Sequence, residues 1–399
     1  MEPALAAVLL VALGFRQVLH TELTSGYLLA FLFAPVWFHA IRLFGGARMF
    51  LVLGTVAAAW GVLLSKVGLP PHMVSGADRN NNLVILFGTL AGVAVVLWAR
   101  TLLSGSAIVL AYGLGMLLGG AAGFTSPGDN AWKFVWAVPV AVAALGLAAR
   151  TGRRSIELAA LLMLIVLSAV NDSRSYLATF ALTMILVVWQ LRPAWLSARA
   201  SWGFNAVVLG TLGWVTYYLG STLLVSGYLG ADAQARSIAQ IEQSGSLILG
   251  GRPELAATFA LMRDHFQGFG PGVIPTAQDV LVAKTGMNNI GYDPNNGYVD
   301  KFMFGGHIEL HSVMGDLWAS YGVAGLLVVA AVAWFTIRGL AHGIAHKSAS
   351  AAFLFVCIWT LWNIAFSPFY AAEPTLLLTM GLVLLPATTR TARLRPAAG

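Results

Sequence analysis

Charge is what this 399-residue sequence has least of: Asp, Glu, Lys and Arg together make up 10% of it, against roughly 25% in soluble domains. Hydrophobic residues make up 58%, and the mean hydropathy is +0.78. That balance excludes a soluble globular fold and leaves a polytopic membrane protein. Cysteine is nearly absent. The single Cys357 lies inside an apolar run, which excludes an internal disulfide framework. The first apolar run, 4–15, has neither a basic stretch ahead of it nor a small-residue cleavage site after it, so it is expected to remain as a first span. No internal repeat of fixed period is present. The turn around Gly268, Gly270, Pro271 and Gly272 is not a nucleotide loop, because no strand pattern precedes it and no Lys-Ser/Thr follows it; its composition suits a tight return of the chain toward the membrane.

What is present is a series of long apolar runs. With no water for backbone groups in the bilayer core, each should be a helix of about 20 residues. The pattern predicts an all-α polytopic fold with about twelve spans, near 3–19, 26–41, 48–66, 82–99, 103–122, 131–149, 155–171, 174–191, 203–225, 312–337, 349–367 and 370–388. With the N-terminus inside, the inner segments hold Arg42, Arg48, Arg100, Arg150, Arg153, Arg154, Arg192, Arg199, Arg338, Lys347, Arg390, Arg393 and Arg395. These are 13 of the 23 Lys and Arg, as the positive-inside rule requires. Both termini are therefore expected on the cytoplasmic side. The net charge of +7 mostly reflects these loops, and nucleic-acid binding is a poor explanation for it.

The organisation expected is an N-terminal helical part (1–225), an outer-side segment (226–310) and a C-terminal helical part with a basic tail (311–399). In the outer segment Leu255, Phe259 and Met262 are spaced for one helix face, which predicts an amphipathic helix lying at the interface.

Cations on the outer side are informative because orientation does not require them. Arg174 stands at the mouth of a span in "NDSRSYLATFALTMILVVW"; it suits a ligand-binding role, snorkelling to lipid phosphate, or pairing with Asp172. Arg252 in "GGRPEL" precedes a predicted helix start, where a guanidinium and free N–H groups together suit a phosphate. Pairing with Glu254 is the simpler alternative. In "HIELHSVMGDLW", His307 and His311 would share a face if the segment were helical, at a spacing that can hold a metal. Glu309 is two residues after the first histidine, not one as the metalloprotease pattern needs, and no third ligand is positioned by the sequence. A histidine at this boundary also suits a general base.

"HSVMGDLWASYG" has a histidine, a serine, nine residues and a glycine: His311, Ser312 and Gly322. With the Ser-Arg pair opening a helix at Arg174 and the segment "GGRPELAATFALMRDHFQGFGPGVI", in that order around one long outer loop, the chain resembles the O-antigen ligase and O-antigen polymerase superfamily of bacterial envelope glycosyltransferases over about residues 160 to 340. It departs from the common pattern in carrying Ser175 and Tyr176 after Arg174, where a small pair is usual. The resemblance implies a GT-C-like fold in the bacterial plasma membrane, with the active site facing outward. It also implies transfer of a glycan from a polyprenyl-pyrophosphate carrier to a hydroxyl on a glycan, lipid or protein, with no metal and no cofactor. It carries His311 over as the motif histidine and Arg174 and Arg252 as pyrophosphate-binding arginines. Displacement with a single base would invert the anomeric centre. Arg263, His307, Tyr298, Lys301 and Lys284 are further candidates for glycan or phosphate contact. A repeat-unit polymerase is the alternative within the family, and a lipid-linked glycan transporter or flippase the alternative of another class, although transporters usually carry mid-membrane charges.

Overall fold

The computed structural model describes residues 1–67, 72–123, 130–193, scattered positions between 204 and 227, 230–244 and 252–387. The described residues are mostly helical: α1 (Glu2–Phe15), α2 (Ser25–Leu32), α3 (Ala34–Trp37), α4 (Ala47–Val67), α5 (Gly76–Ala99), α6 (Gly105–Gly123), α7 (Ala137–Arg150), α8 (Arg154–Val170), α9 (Arg174–Trp189), α10 (Ala231–Ser244), α11 (Glu254–Asp264), α12 (Ala277–Asn288), α13 (Val313–Ala345), α14 (Ala351–Phe366) and α15 (Phe369–Val383). The only sheet among the described residues is a short antiparallel pair, β1 (Val18–His20) and β2 (Leu23–Thr24).

Five of these segments are long and apolar enough to cross a membrane: α4, α5, α6, α7 with its preceding turn from Trp132, and α13. A sixth is added if α2 and the stretch from Ala34 to Leu43, bent by 63°, form one broken span. Helices α1, α9, α14 and α15 are apolar but shorter. The predicted span at 203–225 falls largely outside the described residues.

Close approach of backbones holds the first helices together. A Cβ at Gly14 would lie 2.2 Å from the Tyr112 carbonyl oxygen, and one at Gly115 would lie 2.1 Å from that of Val11, so α1 and α6 touch through small residues. That is the usual solution where helix association gains nothing from expelling water.

The two ends of the bundle differ chemically. At one end basic side chains close off helix C-termini, whose last carbonyls lack partners within the helix. Arg100 donates to the Gly381 and Leu384 carbonyls at the end of α15 at 2.8 and 2.7 Å, and Arg192 to Ile344 in the last turn of α13 at 3.2 Å, while Arg154 donates to the Ala349 carbonyl in the connection between α13 and α14 at 2.8 Å. At the opposite end α11, α12 and the segments around them enclose their own apolar core of Ala257, Leu261, Phe269, Met287, Met303, Leu310 and Trp318.

The buried stripe of α11 is Glu254, Ala257, Thr258 and Leu261, while Phe259 is exposed. Helix α12 packs close to α11, with Gly286 against Ala256 and Ala260.

The glycine-rich turn joins this end to the membrane helices. Helix α13 breaks at Gly322, whose φ of +59° and ψ of −143° leave the helical region. The Ala319 carbonyl oxygen, one turn earlier, accepts from the backbone N–H groups of Phe269 and Gly270, both at 2.9 Å. The contact has no room for a side chain, since a Cβ at Gly322 would lie 2.1 Å from the Gln267 carbonyl oxygen. Glycine is needed here for both its backbone conformation and its lack of bulk.

Candidate functional site

The segment that carries the two histidines is not helical. Residues 304–312 are turn and irregular structure, and α13 begins only at Val313, capped by Ser312, whose hydroxyl accepts from the Gly315 N–H at 2.9 Å. His307 and His311 therefore do not share a helix face, which removes the geometry that made a metal between them conceivable. Asp316 fixes the segment from inside the first turn of α13: its carboxylate accepts from Leu310 N–H at 2.7 Å and from Phe369 N–H at 2.8 Å. Between these ties His311 takes a left-handed backbone, φ +50°, a conformation that costs a non-glycine residue on the order of 1–3 kcal/mol. The strain aims the imidazole at the cavity beside it.

That cavity, about 620 Å³, lies at the end of the bundle opposite the basic caps. Its basic side chains are Arg16, Lys133, Arg252 and His311, and its apolar walls include Tyr176, Trp359, Trp362 and Phe366. Arg252 immediately precedes the Pro253 N-cap of α11, with its guanidinium 5.7 Å from the centre of the Phe366 ring. Arg16 ends α1, donates to the Tyr370 carbonyl at 3.1 Å and lies 3.7 Å from the buried Glu373 carboxylate.

His311 is half-buried. Its Nδ1 is 3.4 Å from the Glu309 carbonyl oxygen and its Nε2 is 3.4 Å from the Glu309 carboxyl. Burial holds the imidazole below its ordinary titration range, against a smaller opposite pull from the nearby Glu254 carboxylate, so the ring is neutral and able to accept a proton at pH 7. Burial, helped by the Asp316 carboxylate, pushes the Glu309 carboxyl up to about 8. A neutral imidazole next to a carboxyl that still holds its proton forms a pair that can pass one proton between them.

Tyr298 packs its ring 5.2 Å from that of His311 and donates a short hydrogen bond to Glu254. Burial and that carboxylate raise its hydroxyl above the normal phenol range. The second oxygen of Glu254 is buried without a hydrogen-bond partner among the described residues. A second cavity, about 290 Å³, lies on the other side of the 307–311 segment and is lined by Glu22, Asp78, Asn81, Asn82, His307, Glu309 and Asp316. Tyr370 borders both cavities.

The structure thus brings Arg252, Tyr298 and His311 together. Arg174 is not part of the cavity lining: it opens α9, donates to the Ser237 hydroxyl of α10 at 3.0 Å and lies 3.7 Å from Asp172, while its neighbours Ser175 and Tyr176 form the wall. His307 lines the second cavity and bonds the Phe302 carbonyl at 3.1 Å. Lys301 is exposed, Lys284 pairs with Asp300 at 2.6 Å, and Arg263 is exposed on the last turn of α11; none of the three lines either cavity.

Arg16 and Lys133 carried no signal of their own in the sequence, since they reach the site from segments far apart in the chain. Glu309 stood out in the sequence only for missing the metalloprotease spacing by one residue. Apart from the cavities, His72, His265 and Asp279 form a compact cluster of possible metal ligands.

Comparison with protein-family models, with curated proteins and with solved structures finds no match.

Proposed function

We propose that the protein is a membrane glycosyltransferase that moves a glycan from a polyprenyl-pyrophosphate carrier to an acceptor hydroxyl on the outer face of a bacterial plasma membrane. In this reading the chain has about twelve spans, both termini are cytoplasmic, and the reaction is of the O-antigen ligase type. The supporting observation is that Arg252, Arg16, Lys133 and His311 line one cavity whose walls also include the aromatic rings of Tyr176, Trp359, Trp362 and Phe366. Such a cavity suits a molecule with an anionic pyrophosphate joined to a hydrophobic tail.

Arg252, with Arg16 and Lys133, neutralises the charge that grows on the pyrophosphate as its bond to the anomeric carbon breaks. Arg174, just outside the wall, is the second arginine assigned to that group, at its rim. The acceptor oxygen forms the new bond to the anomeric carbon and gives its proton to His311, and pyrophosphate leaves with the bonding electrons. Attack from the side opposite the leaving group inverts the centre. The carboxyl-lined cavity across the 307–311 segment suits the hydroxyl-rich acceptor.

The test is a reconstituted reaction with labelled lipid-linked glycan and candidate acceptors. A new glycoside is the expected product. Movement of the lipid-linked glycan across the bilayer with no new glycoside would identify a transporter instead.

A further inference from the structure

We propose that His72, His265 and Asp279 form a binding site for a zinc-type divalent cation, one that staples the segment beyond the bundle to the membrane helices. The three side chains come from separate parts of the chain: the connection between α4 and α5, the residue that ends α11, and the first turn of α12. Their ligand atoms nevertheless lie within 4.8 Å of one another. His72 Nε2 is 2.8 Å from one Asp279 oxygen and His265 Nε2 is 2.9 Å from the other. Two imidazoles and a carboxylate are the donor types that tetrahedral zinc takes, and its ligand atoms stand ~3.3 Å apart when each lies about 2 Å from the ion. Small outward movements of the two rings would admit it.

The shell around the donors is already arranged. Thr276 gives both its backbone N–H and its hydroxyl to one Asp279 oxygen, each at 2.6 Å. That grip orients the carboxylate and leaves the other oxygen to face His265, the outer support that metal-binding carboxylates usually have. The Asp279 side chain is 2% exposed and that of His265 is 20% exposed, so the carboxylate is desolvated while one histidine keeps a path to solvent. Asp264, whose carboxylate is 3.3 Å from His265 Nε2, is placed to supply a fourth ligand, or water can. The cluster sits beside the backbone contacts that join the two parts of the molecule, Ser75 N–H to the Gly272 carbonyl at 2.7 Å and Ile274 N–H to Met73 at 2.9 Å. A cation bound there would tighten that junction.

The full-length protein in detergent, stripped with chelator and dialysed against zinc chloride, tests this. About one zinc per chain by elemental analysis is expected, with a midpoint of thermal unfolding raised by ~5 °C or more at saturating zinc. His72→Gln with His265→Gln should lose both effects. His342→Gln with His346→Gln should keep them; this pair of adjacent histidines, ring centres 4.1 Å apart, lies at the opposite end and is the competing zinc binder. Cobalt(II) added to the wild type should give the visible absorption of a tetrahedral site, a readout independent of whether any variant folds. No retained zinc, an octahedral cobalt spectrum, or zinc lost only in the His342/His346 variant would each overturn the proposal.

Discussion

Replacing Glu309 with glutamine tests the electrostatics of the site without removing any bulk. In the folded protein burial holds the carboxyl at about 8, against an ordinary value of 4.5. Between those two pH values the folded chain keeps a proton that the unfolded chain has released. Stability contributed by this group is therefore complete below about pH 4.5 and falls as pH rises through the folded value near 8. At 1.36 kcal/mol per pH unit the loss reaches ~5 kcal/mol, and screening at a side chain 22% exposed brings it to on the order of 2–4 kcal/mol. For a chain of this size that is a drop of about 2–5 °C in unfolding midpoint. Thermal unfolding of wild type and Glu309→Gln, followed from pH 5 to pH 9 in one detergent, should show the wild type losing stability over that range. The variant should lose distinctly less. Equal slopes in the two proteins would refute the assignment of a protonated Glu309 beside His311.

Other substitutions separate the parts of the site. Arg252→Ala, which removes a guanidinium from the cavity lining, should lower turnover by ~10²-fold or more, whereas Arg174→Ala, at the rim, should cost less; initial rates with lipid-linked donor in excess compare them, and a larger loss at Arg174 would shift the phosphate subsite toward α9. Gly322→Ala should destabilise the protein by roughly 2 kcal/mol or more, because the new Cβ meets the Gln267 carbonyl in a backbone conformation that alanine avoids, and the effect is read as a fall in unfolding midpoint. Tyr298→Phe removes the donor to Glu254 and leaves a second buried carboxylate oxygen unpaired, so a stability loss of about 1–3 kcal/mol is expected, measured the same way.

Much of the helical character was legible in the sequence because a helix in lipid must satisfy its own backbone, and long apolar runs admit no other element. The grouping of Arg100, Arg154, Arg192 and Lys347 at one end follows from the same reading, but their partners do not. That these side chains close off the carbonyls of particular helices depends on packing between segments far apart in sequence. The importance of Gly322 was visible as a spacing from His311; its cause, a helix break that gives the Ala319 carbonyl to the glycine-rich turn, needed both segments at once. His311 and Arg252 were recognisable because each is a reactive or cationic residue where orientation alone demands none. Glu309 was misjudged because helical spacing was assumed across a segment that Asp316 instead holds in an irregular path. Arg16, Lys133 and the His72–His265–Asp279 cluster were invisible for one shared reason: their chemistry exists only where distant segments converge, and nothing in the local pattern marks the convergence.

The central claim is that His311 takes the proton from an attacking hydroxyl. Purified wild-type protein and His311→Ala, reconstituted in lipid with labelled polyprenyl-pyrophosphate-linked glycan and acceptor, test it most directly through the amount of new glycoside formed per protein. Wild type should form product, and the variant, folded to the same unfolding midpoint within a few degrees, should form it at least about 10²-fold more slowly. Product formation by His311→Ala at the wild-type rate would contradict the claim.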